Sequence, residues 1–132
     1  MKKVNGVALL IIGMFAFVTT IYAAGYDSYY LTKVGQVDYG SDVSIKKDRV
    51  VNVRWTNGST DSDAQIAVTL NKKKLIGGYT NITRMQKWIK GLPNYDFYFG
   101  DDYANGTYRS HIVFNATNDN KAISGQYQLA NS

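Results

Sequence analysis

The sequence predicts an all-β protein, a single small antiparallel β-sandwich of about seven strands with at most one short helix. Three observations predict it. Short segments repeatedly alternate apolar with polar residues, the period of a half-buried strand. Clusters of Asn, Asp, Ser and Gly punctuate those segments as turns do. The acidic residues are all aspartate, beside eleven tyrosines, twelve glycines and one proline. Glutamate favours helices and aspartate favours turns, while tyrosine suits a pleated, half-buried surface.

The first segment is not part of that domain. Lys2 and Lys3 lead an apolar run from Val7 through Ile21, and the small residues Ala23 and Ala24 close it. This anatomy is that of a secretory signal peptide. Residues 1–23 are therefore expected to be removed after Ala23, leaving 24–132 as one secreted, extracellular domain. The alternative is a retained membrane anchor, since Val7–Ala24 approaches the ~20 apolar residues of a span. Gly13, Thr19 and Thr20 weaken that alternative, and no basic cluster follows the segment.

The elements follow in chain order. Tyr29 to Val34 reads as a first, edge strand, and Val43 and Ile45 alternate with Ser44 and Lys46. Val51, Val53 and Trp55 alternate with Asn52 and Arg54, and Asn57-Gly58 supplies a turn suited to positive φ. Ile66, Val68 and Leu70 form the next strand, which the run Asn71-Lys72-Lys73-Lys74 is expected to break. Thr83 to Gly91 is the helical candidate. Thr83 could cap it, Met85, Trp88 and Ile89 fall at i, i+3, i+4, and Gly91 and Pro93 would end it. Tyr95, Phe97 and Phe99 alternate with Asp96 and Tyr98. Tyr108–Phe114 and Ile123–Leu129 also alternate, and are expected to pair as a hairpin with one apolar face.

Several chemistries are excluded or unsupported. Without cysteine there are no disulfides, thiol nucleophiles or lipid-modified cysteine. A secreted small domain without disulfides points to a bacterial envelope. His111 is the sole histidine, so a nitrogen- and sulfur-ligated zinc site is not expected. Asp61-Ser62-Asp63 and Asn118-Asp119-Asn120 offer oxygen ligands but lack the calcium-loop pattern, and turn chemistry accounts for both. No phosphate-cradling glycine loop or dinucleotide fingerprint occurs. No cofactor, metal or catalytic residue is expected. The formal charge is +5, or about +3 without Lys2 and Lys3, which is too mild for a dedicated nucleic-acid binder.

The surplus is aromatic. Tyrosines and two tryptophans exceed what a small core can bury, and rings beside Asn and Asp suit glycan stacking and protein interfaces. The expected function is non-enzymatic binding at the bacterial envelope, with a glycan, a wall polymer or a protein as ligand. The candidate contacts are Tyr98, Asp101, Asp102, Tyr103 and Asn105, with Arg109 and His111 on the neighbouring strand face. Two alternatives stand beside it. One is a secreted, bacteriocin-like or membrane-active toxin, resting on Lys72–Lys74 and the Trp88 segment. The other is a polymerising subunit that lends Ala24–Tyr39 to a neighbour's sheet.

Overall fold

The computed structural model describes Tyr22, Ala23 and residues 25–132, so the expected signal segment lies outside the described residues apart from its last two positions. The strands are β1 (Tyr22–Ala23), β2 (Asp27–Leu31), β3 (Val37–Tyr39), β4 (Val43–Ile45) and β5 (Val51–Asn57). They continue with β6 (Ala64–Lys73), β7 (Tyr79–Trp88), β8 (Asn94–Gly100), β9 (Gly106–Thr117) and β10 (Ile123–Asn131). All pairings are antiparallel. Sheet A runs β1/β2–β10–β5–β8 and sheet B runs β3/β4–β9–β6–β7. The expected β-sandwich is what forms, with ten strands where about seven were anticipated.

The extra strands have a simple origin. β1 and β2 both lie along β10, and β3 and β4 both lie along β9, so each pair is one edge strand interrupted by a few residues. Taken so, the first strand position neighbours the last and the second neighbours the last but one. That order is the double Greek-key wrap of a jelly roll. Every connection between strand positions crosses from one sheet to the other except β6–β7, the sole hairpin among the described strands.

The core is where the alternation places it. Leu31, Val51, Val53, Trp55, Tyr127 and Leu129 of sheet A meet Ile45, Ile66, Val68, Leu70, Ile112 and Phe114 of sheet B. Each such side chain contributes about 1.5–3 kcal/mol on burial. Inside it, Tyr29 stacks on Trp55 at 6.4 Å and tilts against Tyr127 at 6.1 Å.

Four sequence expectations are corrected. Thr83–Gly91 is not a helix: Thr83 to Trp88 belong to β7, paired along β6. Met85 packs inward while Trp88 is exposed, so the supposed helical face is split between the two sides of a strand. Pairing with a long β6, buried from Ala64 to Asn71, overrides a weak local helical pattern. Second, the lysine run does not break β6, which continues through Lys73. Third, β9 and β10 are not a hairpin; they lie in opposite sheets, and their apolar faces meet across the core instead of forming one face. Fourth, neither Asn57 nor Gly58 takes a positive φ. Asn57 instead receives Ser59 N–H at 2.7 Å and donates to Ile89 C=O at 3.0 Å. The segment offered as a polymerising donor is also committed at home, with β2 on β10 and β3 on β9.

Candidate functional site

The alternation of β9 creates the site. Tyr108, Ser110, Ile112 and Phe114 turn into the core, so Arg109, His111, Val113 and Asn115 turn out of sheet B. The register then sets their neighbours. Tyr39, His111, Thr69 and Arg84 lie in one row across β3, β9, β6 and β7; Arg109, Asn71 and Asn81 lie in the next. β6 supplies the floor, and its outward residues Gln65, Ala67, Thr69 and Asn71 are all buried beneath their neighbours' side chains.

Those neighbours are locked together. Arg84 donates from Nη1 to Gln86 Oε1 at 2.8 Å and from Nη2 to Asn115 Oδ1 at 2.9 Å, strapping β7 to β9 over β6. Asn115 in turn donates to Gln65 Oε1. Asn71 donates to Asn81 Oδ1 at 2.8 Å and accepts from Arg109 Nε at 3.3 Å.

Arg109 is the centre of the face. Its guanidinium carbon lies 4.0 Å from the Tyr39 ring centre and 3.5 Å from that of Tyr79, so two phenol rings flank one cation. Such contacts are worth about 0.5–2 kcal/mol each and favour a flat guanidinium over an ammonium. Tyr79 is held by donating its hydroxyl to Asp42 Oδ1 at 2.8 Å, and Lys73 pairs with the same carboxylate at 3.5 Å. That bond from Asp42 is the main reason the Tyr79 phenol titrates above its ordinary range. Neither Arg84 nor Arg109 pairs with a carboxylate among the described residues.

His111 completes the row, its ring 4.8 Å from that of Tyr39. Its Nε2 is buried without a hydrogen-bond partner among the described residues. Burial, then the charges of Arg109 and Arg84, push its pKa below the ordinary value, so the ring is neutral near pH 7. A neutral imidazole between two cations, with no carboxylate to orient it, has the surroundings of a packed ring and not of a general base.

The sequence-derived candidates separate into three places. Arg109 and His111 lie together on the outer face of sheet B. Tyr98 is 59% exposed on the outer face of sheet A, opposite Asn52, and does not join them. The β8–β9 loop holds the rest. Asp101 and Asp102 are exposed there. Tyr103 packs onto the core, edge-on to Tyr108 at 6.5 Å, and donates to Phe99 C=O at 2.9 Å. Burial, then the Asp102 charge, raise its phenol's pKa. Asn105 accepts Lys47 N–H at 2.6 Å and so ties two loops. Tyr103 and Asn105 therefore shape the loop, Tyr103 half-buried and Asn105 exposed. Sequence reading missed Tyr39 and Tyr79 as partners of Arg109. The available signal was the outward parity of Arg109; which rings meet it depends on the register of three other strands.

No protein-family model and no curated protein matches the sequence. Two solved structures are similar in strand arrangement. One, described as the crystal structure of PirA, is 15% identical over 81% of this chain and 93% of that one, with a TM-score of 0.45. The other, a family two carbohydrate esterase from Cellvibrio japonicus, is 5% identical over 83% of this chain, with a TM-score of 0.39. This chain spans about a third of that esterase, 34% of its length. Likeness at that level assigns neither protein's activity to this chain.

Proposed function

We propose that this chain is a secreted, non-enzymatic binding protein of the bacterial envelope, and that the outer face of sheet B takes an acidic polysaccharide or wall polymer. The observation that carries the reading is Arg109, fixed between Tyr39 and Tyr79 with no carboxylate partner among the described residues. A guanidinium held flat by stacking keeps its terminal N–H groups for a ligand's carboxylate or phosphate. Tyr39, 52% exposed, offers a ring for the C–H face of a sugar. Asn81 and Gln86, both exposed, border it with amide groups of the kind that read sugar hydroxyls.

The test compares polygalacturonate with neutral dextran by affinity electrophoresis, with salt titrated, and then isolated cell wall by pull-down. The expected result is retardation by the acidic polymer that persists at high salt and is lost in Tyr39→Ala. Arg109→Lys keeps the charge but loses the planar fork, and should weaken retention about tenfold. Retention that vanishes with salt, or that Tyr39→Ala leaves unchanged, would overturn this assignment and leave only the general positive charge.

A further inference from the structure

The tip of the β6–β7 hairpin carries two exposed aliphatic side chains on a glycine turn. Leu75 and Ile76 are adjacent aliphatic residues with relative exposures of 105% and 90%. Gly77 at φ +56° and Gly78 at φ +77° carry the chain round in left-handed conformations that suit glycine. Lys74 N–H closes the tip on Gly78 C=O at 3.0 Å. Nothing among the described residues covers the two side chains, and β6, which leads to them, is buried from Ala64 to Asn71.

The neck of the hairpin is basic. Lys72 leans over Tyr108, with Nζ 5.7 Å from the ring centre, and Lys73 pairs with Asp42. Lys74 is exposed beside the apolar pair. The β4–β5 loop, tied at this end by Lys47 and Asn105, adds Lys46 and Lys47. Asp48, Asp101 and Asp102 belong to the neighbouring loops and Asp42 pairs with Lys73, so the local attraction belongs to Lys72 and Lys74 and not to the end as a whole.

We propose that this tip docks the protein on an anionic lipid bilayer, with Leu75 and Ile76 entering the headgroup–acyl boundary and Lys74 at phosphate level. Two convex side chains fall far short of the roughly 800 Å² per partner of a stable protein interface. A bilayer needs no matching shape. It rewards a small apolar projection, and anionic headgroups reward flanking lysines. The occupant is therefore lipid, and the tip adjoins the Arg109 site through Tyr79, which follows Gly78.

The experiment uses the full chain, whose lack of cysteine lets one be introduced cleanly. An environment-sensitive fluorophore is placed at Ile76→Cys, and at Asp61→Cys in the loop at the opposite end. Each is mixed with vesicles of phosphatidylcholine alone or with phosphatidylglycerol added. The expected result is a blue shift, and quenching by a lipid-borne quencher, at position 76 and not at 61, on the anionic vesicles. Adding Leu75→Ser and Lys74→Ser to the labelled chain should lower vesicle affinity about tenfold or more. The proposal is overturned if the chain does not bind, or if it binds while position 76 stays in water. An equal response on phosphatidylcholine alone overturns the anionic requirement. A blue shift without lipid that grows with protein concentration would make a second copy the occupant and overturn it as well.

Discussion

The buried phenol of Tyr127, on the central strand of sheet A, donates its hydrogen bond to Asp38, on the edge of sheet B. This contact ties the two sheets where β2 and β3 leave an open side. Desolvation, then the Asp38 carboxylate, raise the phenol's pKa far above its ordinary value, so it remains a donor throughout the working range. Beside it, Asp27 accepts from Ser41 N–H at 2.9 Å and Ser41 Oγ at 2.8 Å. A hydrogen bond to a charged group contributes about 1.5–3 kcal/mol. Tyr127→Phe should therefore lose about that much stability in urea denaturation. A loss below about 0.5 kcal/mol would mean the sheets are held without it.

Gly125 is fixed by its neighbours' closeness. A Cβ there would stand 2.1 Å from Thr56 C=O oxygen and 2.9 Å from the Tyr29 hydroxyl. Gly125→Ala must push β10 from β5, at a cost of about 1–3 kcal/mol or more. Gly25→Ala meets nothing within 4 Å and should be neutral to within about 0.5 kcal/mol. Urea midpoints of the two variants check the contrast.

His111 makes stability depend on pH. Its pKa is lower folded than unfolded, so below the unfolded value, about 6.5, the unfolded chain binds more protons. That contribution is fully present above pH 6.5 and is lost as pH falls through the folded value. The urea midpoint should thus drop between pH 7.5 and 5.5, and His111→Gln should reduce that drop. An unchanged drop would assign it to other groups.

Lys87 protects an edge. It points inward from β7 with its Nζ 4.9 Å from the Tyr95 ring centre, at the open side between β7 and β8. An inward charge on an edge strand discourages pairing with another chain. Lys87→Val should fold, and should self-associate at concentrations where the parent chain scatters no light. A monodisperse variant would show that the edge is guarded by other means.

Much of this architecture is legible in the residues, and the reasons it stops are physical. β5, β6, β8, β9 and β10 each carry clear alternation because one face meets the core, and period two reports that directly. The same signal says nothing about which strand lies alongside, so β9 and β10 look like a hairpin until the register is known. Met85 in β7 and Ile89 just beyond it both reach the core, and their spacing of four also satisfies a helix. The alternation of Thr83, Met85 and Lys87 was present as well, but two residues of that set are polar and the apolar count favoured the wrong period. For the candidate site, parity placed Arg109 and His111 outward correctly. Tyr39 and Tyr79 come from far-separated segments and meet Arg109 only after sheet B has assembled.

The wrap of the sheets has a consequence for the order in which the protein closes. β10, the last of the described strands, has neighbours on both sides in sheet A, β5 on one and β1/β2 on the other. Until those final residues are delivered, β2 has no partner and Tyr29 and Trp55 have no Tyr127 to close over them. A chain that emerges N-terminus first would therefore leave sheet A open until β10 has emerged.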